Sequence, residues 1–309
     1  MPDTPPIPII CGPTGSGKTG CVVTLAEEFD LEVINADSRQ ILRYLDIGTA
    51  KPTPEECNKV RFHLVDIVEP GERYSAFRFI DDATVAIGDI LARGKIPFVV
   101  GGTGLYLKAL AEGVVEIEQE DMELRANLEA DMEEHGPEEM HRRLEAIDPL
   151  EAVRIHPNNR VRVLRALELF YLTGKCKSEL VETGAYRSPA YRYDFYCLQP
   201  ERAELYRRIN ERVDQMMTDG LLDEVKSLCD RGLTEAIRNS RVIGYTELLD
   251  YLEGSRPLEE AVALIKQNSR RYAKRQMTWF RGQADCRYFD SSLALIDTIK
   301  GSEINFRNR

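Results

Sequence analysis

Apolar residues alternate between two periods along this chain, and the alternation sets out the architecture. Ile7 to Cys11 is a short apolar run that predicts a buried strand. After a glycine-rich stretch, Val22, Leu25, Ala26 and Phe29 mark one side of a helix. Leu31 to Ile34 predicts a second strand, ending at Asn35-Ala36-Asp37-Ser38, and Phe62 to Val68 a third. Tyr74 to Arg93 reads as a helix stopped near Gly94, and Ile96 to Val100 as a fourth strand running into Gly101-Gly102-Thr103-Gly104. Strand, loop and helix in this order imply an α/β fold, with a parallel sheet flanked by helices.

The pattern then changes. Met122 to Gly174 is almost wholly helical, with stops at Gly136-Pro137 and His156-Pro157. Tyr193 to Leu198 returns to strand, and everything from Pro200 onward reads as helix. The simplest organisation is an α/β core over 1–113 and 191–309, with C-terminal helices, and an all-helical insertion domain over 114–190.

Composition adds less. The chain has 309 residues, 43% hydrophobic and 30% charged, as an ordinary soluble protein has. Seven cysteines, at positions 11, 21, 57, 176, 197, 229 and 286, form no CxxC pair, and the odd count suits reduced thiols in a cytoplasm. Met1 to Pro6 carries no basic stretch or long apolar run, so neither a signal peptide nor a membrane span is expected.

The net charge of −11 argues against a polyanion partner until its distribution is examined. Glu116 to Glu151 holds 14 acidic and three basic residues, so the remainder of the chain is about neutral. Lys266 to Arg281 holds six Lys/Arg and no acidic residue. Lys266, Arg270, Lys274 and Arg281 recur at near-helical spacing, with Arg271 and Arg275 beside them and Tyr272, Trp279 and Phe280 interleaved. That favours a face contacting a polyanion over a plain solvated helix, with core packing the use of at least two of the aromatics.

The sharpest local signal is Gly12-Pro13-Thr14-Gly15-Ser16-Gly17-Lys18-Thr19, a GxxxxGK[ST] phosphate loop between a strand and a helix. Its glycines let successive backbone N–H groups curl around phosphate oxygens. The helix N-terminus adds partial positive charge, Lys18 a full one, and Thr19 a hydroxyl for Mg²⁺. The motif specifies pyrophosphate or nucleotide without choosing between them. Asp37 lies just past a strand's C-terminal end, where open α/β sheets build their sites. It has three readings: general base, magnesium ligand or helix N-cap. Asp66 shares them, with structure favoured. Gly101 to Gly104 is a second strand-to-helix turn that allows close approach of a ligand, or merely tight geometry. Arg208 and Arg212 lie one turn apart beside the apolar side formed by Leu205, Ile209, Val213 and Met216, and read first as a solvated pair.

Taken together, the motifs are recognisable. GPTGSGKT, NADSRQ at 35–40, DIGTAKPT at 46–53, GGTGLYLKAL at 101–110, RIHPNNRVRVLRALE at 154–168, SRVIGYTE at 240–247 and YAKRQMTWFRG at 272–282 resemble, in order, the tRNA dimethylallyltransferases, also called tRNA isopentenyltransferases. The resemblance spans most of the chain. It implies transfer of a dimethylallyl group from dimethylallyl pyrophosphate to the exocyclic amine of an adenosine 3′-adjacent to the anticodon, with Mg²⁺ as cofactor and a P-loop NTPase-like core. The tRNA anticodon stem-loop is the implied partner, and a cytoplasmic monomer the implied state.

Carried onto this chain, the resemblance has Thr14 to Thr19 hold the pyrophosphate, Arg212 help neutralise it and Asp37 face the adenine amine as base. Implied tRNA contacts are Asp37, Ser38, Arg39 and Gln40; Thr103 and Arg125; and Val161, Arg162, Val163, Leu164 and Arg165. They continue with Arg241, Val242, Ile243, Gly244, Tyr245 and Thr246, then with Lys274, Arg275, Gln276, Met277, Thr278, Trp279, Phe280 and Arg281. Ile41-Leu42-Arg43 departs from the family's usual aromatic at its second position. The C-terminal zinc finger of some eukaryotic members is absent, so a bacterial-type member is expected. Three other readings remain at this stage: a transferase acting on free adenine nucleotides, a P-loop kinase or NTPase, and an RNA-binding module that uses a nucleotide as a switch.

Overall fold

The computed structural model describes residues 5–115, 121–182, 186–283 and 285–302. The chain divides into two compact units, Met1–Ala111 with Ala190–Arg309, and Glu112–Pro189.

The larger unit is built on a six-stranded sheet in which every pairing is parallel. Its strands are β1 (Ile7–Cys11), β2 (Leu31–Asn35), β3 (Phe62–His63), β4 (Ile96–Gly101), β7 (Tyr193–Leu198) and β8 (Cys286–Phe289), in the order β3-β2-β4-β1-β7-β8. Strand periodicity sends alternate side chains to opposite faces. Ile9, Cys11, Ile34, Val99 and Cys197 join one core cluster, with Phe79, Ala83, Ile87 and Ile90 of α3 (Ala76–Ala92) and Tyr106, Leu107 and Leu110 of α4 (Gly104–Glu112). Ile10, Val33, Phe98, Val100, Tyr196 and Leu198 join the other, with Val22 and Leu25 of α1 (Lys18–Leu25) and Leu295, Ile296 and Ile299 of α14 (Ser292–Gly301). Both faces are covered, which is why the strands read as continuous apolar runs. α1 stops at Leu25, and Phe29 packs against this cluster from beyond the helix end.

Two strand expectations differ from the fold. Only Phe62–His63 of the run Phe62 to Val68 pairs with β2. Leu64 and Asp66 adopt left-handed backbone, φ 60° and 57°, which breaks the ladder before Val68 meets Leu42 in an isolated bridge. The C-terminal region is not helical throughout, because Cys286–Phe289 adds β8 beside β7. Four residues on a sheet edge, with Arg287 and Tyr288 exposed between half-buried Cys286 and Phe289, leave a weak periodic signal.

A third core is formed by α10 (Leu221–Asp230), α11 (Thr234–Ser240), α12 (Tyr245–Leu252) and α13 (Leu258–Arg281), closing over Ile41, Leu42, Leu45 and Val68. Leu42 is thus a core residue, at the position where an aromatic is usual in the resembling family. α9 (Arg202–Thr218) packs on α13 through Leu205, Ile209, Ala273 and Met277.

The smaller unit holds α5 (Met122–Ile147), α6 (Pro149–Arg154), α7 (Arg160–Thr173) and α8 (Lys177–Glu182). α5 is broken at Gly136, φ 81° and ψ 168°, beside Pro137, where the sequence placed a stop. The unit also has a two-residue antiparallel pair, β5 (Val114–Val115) with β6 (Tyr186–Arg187), in addition to its helices. Leu128, Met132, Met140, Leu144, Val163 and Leu167 form its core. Residues 116–120 of the acidic stretch lie outside the described residues.

Gly101 shows how closely the sheet edge is packed. A Cβ there would meet the Ala36 carbonyl oxygen at 2.2 Å and its carbon at 2.4 Å. Backbone cannot yield as a side-chain tip can, so Gly101→Ala is expected to cost about 1–3 kcal/mol in urea unfolding, the usual range for overpacking.

Candidate active site

Three loops leave the C-terminal edge of the sheet side by side: Gly12–Gly17 after β1, Ala36–Gln40 after β2 and Gly102–Thr103 after β4. The first is a phosphate loop in conformation as well as sequence. Gly12, Gly15 and Gly17 all have positive φ, at 145°, 78° and 98°. At Gly12 a Cβ would fall 2.3 Å from the Leu198 carbonyl oxygen, so this turn admits no side chain. Lys18 opens α1 and donates from Nζ to the carbonyls of Gly12 at 3.0 Å and Pro13 at 2.9 Å. Burial lowers its pKa to about 8; Asp37 opposes the fall and Arg212 adds to it. Ser16 Oγ, in the same loop, is buried without a hydrogen-bond partner from the protein.

Gln276 ties two loops together. From α13 it accepts from Thr14 N at 2.9 Å and donates to Gly102 O at 2.9 Å. Gln276→Leu keeps the volume and orphans both backbone groups. It is expected to cost about 1–3 kcal/mol for each group, read by urea unfolding.

Asp37 is not a helix N-cap, since the next helix, α2 (Pro54–Lys59), starts far along the chain. Its Oδ1 accepts from Arg39 N at 2.9 Å, which fixes the carboxylate in a turn. Ser38 N donates to Thr103 Oγ1 at 2.9 Å, joining the second and third loops. Arg39 reaches the Ser240 carbonyl, 2.9 Å, and Gln40 the Ala50 carbonyl, 2.7 Å. Asp66 pairs with Lys51, as does Asp46 at 2.5 Å, so Asp66 is structural.

The two arginines of α9 part company. Arg208 pairs with Glu204 at 2.6 Å. Arg212 instead donates from Nη1 to Thr14 Oγ1 at 3.1 Å. Burial lowers the pKa of its guanidinium, against the pull of Asp37.

Of these residues, Thr14, Asp37, Arg39 and Arg212 line one pocket of about 180 Å³ and form its polar side. Ile209, Val213 and Met216 of α9 and Ile265 of α13 supply an apolar side, and Tyr272 and Arg275 lie farther along α13. Arg241, Val242, Ile243 and Gly244, the turn between α11 and α12, also line it. Arg241 has φ 51°, and Gly244 N donates to the buried Glu247 carboxylate at 2.7 Å. Glu247 also accepts from Asn268 on α13 at 2.7 Å, so the turn is held from below.

Sequence reasoning gave the apolar stripe of α9 no site role, and it missed Gly48 and Thr49 on the pocket wall. It also missed Glu224, which accepts from Asp46 N at 3.1 Å, Ile47 N at 2.9 Å and Tyr245 Oη at 2.5 Å, holding that wall in place. Their signal is only in the fold.

Among the residues with an implied RNA contact, the side chains of Val163, Val242, Tyr245, Gln276, Met277 and Phe280 are buried. Arg241, Lys274, Arg275, Thr278 and Arg281 are exposed, and Ile243, Thr246 and Trp279 are half-buried. Trp279 stands edge-on to Phe280, centroids 5.0 Å apart. The basic run of α13 is not without partners: Lys266 pairs with Asp214 at 2.6 Å and Arg270 donates to Asn210 at 2.5 Å. Arg271, Lys274, Arg275 and Arg281 remain as an exposed basic stripe. In the smaller unit Arg125 pairs with Glu129, 3.2 Å, and Arg165 with Glu168, 2.7 Å. Arg160 pairs with Glu133, 2.5 Å, and Val161 and Arg162 are exposed while Leu164 is half-buried.

A family profile described as IPP transferase matches residues 40–283, and one described as isopentenyl transferase matches residues 5–67. The chain belongs to the tRNA dimethylallyltransferase family. It is 48% identical to tRNA dimethylallyltransferase 1 of Pelobacter propionicus, over 92% of each chain. With the tRNA dimethylallyltransferase of Thermotoga maritima it shares 43% identity over 95% of each. The crystal structure of the full-length tRNA isopentenylpyrophosphate transferase from Bacillus halodurans superposes with a TM-score of 0.70 at 43% identity, covering 96% of both chains. A eukaryotic dimethylallyltransferase acting on tRNA superposes with a TM-score of 0.78 at 32% identity, covering 96% of this chain and 76% of that one. The chain is accordingly an enzyme, a prenyl-transferring member of this family. Among the described residues no helix is long and apolar enough to cross a membrane.

Proposed function

We propose that this chain transfers the dimethylallyl group of dimethylallyl pyrophosphate to the exocyclic amine of the adenosine 3′-adjacent to the anticodon, giving isopentenyladenosine and pyrophosphate. One observation carries the reading: a single pocket joins Thr14 of the phosphate loop, Arg212, a carboxylate at Asp37 and an aliphatic wall. A phosphate loop beside a short apolar wall suits a pyrophosphate carrying five carbons. A kinase needs a second phosphate-accepting subsite instead of that wall.

The pyrophosphate lies in the loop Thr14 to Thr19, against the first N–H groups of α1, while the Thr14 and Ser16 amides are held by Gln276 and Pro13. As the allylic C–O bond breaks, negative charge grows on the leaving oxygens and positive charge on the departing carbon. Lys18, Arg212 and the Ser16 hydroxyl meet the first, acting where water is excluded. Ile209, Val213, Met216 and Ile265 hold the alkyl chain. The adenine amine is a weak nucleophile, and Asp37 Oδ2 accepts its proton as the C–N bond forms. The Arg39 amide occupies Oδ1 and so aims the carboxylate. The base must leave its stack to reach this depth, at a cost already lowered in an anticodon loop.

The Thr19 hydroxyl, on the first turn of α1, fits Mg²⁺, which takes one or two protein oxygens together with substrate phosphates. When bound, the ion supplies further charge for the leaving pyrophosphate. The exposed stripe of α13 grips tRNA phosphates, with the exposed Arg125, Val161, Arg162 and Arg165 as contacts from the insertion and the buried Val163 serving its core. The enzyme acts in the cytoplasm, as a monomer.

Acceptor choice tests the reading. With equal donor and Mg²⁺, unmodified tRNA should be prenylated and AMP should not; prenyl-AMP as main product would make it a nucleotide-type transferase. Lys274→Ala with Arg275→Ala should weaken tRNA binding and reduce its log-log salt slope by about one for each lost phosphate contact. An unchanged slope would remove α13 from the RNA interface.

A further inference from the structure

Three of the seven cysteines, scattered at 11, 197 and 286 in sequence, meet at one point in the sheet. Cys11 ends β1 and pairs in register with Cys197 of β7. Cys286 opens β8 opposite Phe195, two residues before Cys197 and so on the same face. All three sulfurs lie within 4.8 Å of one another, with Cys11 Sγ and Cys286 Sγ 3.9 Å apart. Cys11 and Cys197 are fully buried, and Cys286 on the edge strand is half-buried.

Two uses compete for such a cluster. A disulfide between the in-register Cys11 and Cys197 is within reach but leaves the third sulfur unused, and one between Cys11 and Cys286 has to span β7. Strands lie about 4.8 Å apart, so these Cα atoms stand roughly 9–10 Å from each other, beyond the ~7 Å limit for a bridge without backbone movement. Coordination has no such obstacle. Three sulfurs each about 2.3 Å from one ion stand roughly 4 Å apart when trigonal, a spacing that Cys11 and Cys286 already have and that small side-chain shifts would give the third. No described His, Asp or Glu joins the group; Cys11 and Cys197 belong to a hydrophobic core cluster with Cys286 packed against it, and the Lys18 ammonium lies near enough to act on Cys11 and Cys197. Structural zinc sites take four ligands, whereas a soft monovalent cation is satisfied by sulfur alone.

The geometry points to a trithiolate site for a single thiophilic cation, Cu(I), formed by Cys11, Cys197 and Cys286. The ion enters from the sheet edge past Cys286. Each thiol that ligates it gives its proton to solvent. Gly12 follows Cys11 directly, so occupancy pins the end of β1 from which the phosphate loop starts.

The test uses the reduced full-length chain under anaerobic conditions, titrated with Cu(I) against the chelator bicinchoninate. One equivalent should be retained, and X-ray absorption should show three sulfurs at about 2.3 Å. The protein's Tm should rise with copper up to that equivalent. C286A, at the half-buried edge position, should hold copper at least about tenfold more weakly, while C57A, at an exposed cysteine, should match the native chain. If C286A fails to fold, the sulfur count on the native chain decides alone. No retained copper, a shell of fewer than three sulfurs, or copper lost with C57A overturns the site. Zinc retained as tightly as copper, in a four-coordinate shell, overturns the choice of Cu(I). A mass lower by two protons, with a disulfide mapped to the triad, overturns coordination in favour of redox pairing.

Discussion

Asp37→Asn is expected to cut dimethylallyl transfer by about 10²–10⁴-fold, the usual loss when a general base is removed, while tRNA binding stays nearly intact. The amide has the shape of the carboxylate and still accepts from Arg39 N through its oxygen, so the turn that holds residue 37 persists. Only the capacity to take a proton disappears. Single-turnover transfer and filter binding of the same tRNA separate the two effects. A variant that transfers at full rate would show that the amine loses its proton elsewhere.

Arg212→Met is expected to lower transfer by about 10²–10³-fold, the range for losing one preorganised donor to a developing negative charge. Methionine suits the buried path between Thr14 and the apolar wall, so the fold should survive. The pH profile carries a second signature. Burial holds Lys18 at about 8 in the free protein, and Arg212 contributes to the depression. On the proposed reading, donor binding requires the ammonium. Affinity should therefore be flat below about pH 8 and fall about tenfold per pH unit above it, until the pKa of the bound state is reached. Without Arg212 the Lys18 ammonium persists to higher pH, so this limb should move upward although overall affinity is lower. A limb that stays in place would separate Lys18 from Arg212.

Much of this was legible in the sequence because backbone geometry leaves side-chain signatures. Gly12, Gly15 and Gly17 are required by positive φ, so the conformation of this loop can be read one residue at a time. The buried strands announce themselves as apolar runs for the same reason. β8 did not, since it is four residues long and its two middle residues, Arg287 and Tyr288, are exposed. The third strand was overextended because apolar Leu64 gives no hint of its left-handed backbone. Long-range partners were the least visible. Glu224 and Glu247 look like surface acids on helices, yet one caps the loop at 46–48 and the other holds the turn at Gly244. Gln276 lies within a basic run and reads as part of an RNA-facing surface, but its amide binds two loops of the phosphate site. The cysteine triad could not be found by spacing at all, because a sheet assembles it from three strands.

The most direct test of the central claim combines the purified chain, Mg²⁺, dimethylallyl pyrophosphate labelled in its alkyl group, and unmodified tRNA. After nuclease digestion the label should appear on the exocyclic amine of the adenosine 3′-adjacent to the anticodon, with one pyrophosphate released for each label transferred. Pyrophosphate released without labelled RNA, or label on another nucleotide, would contradict it.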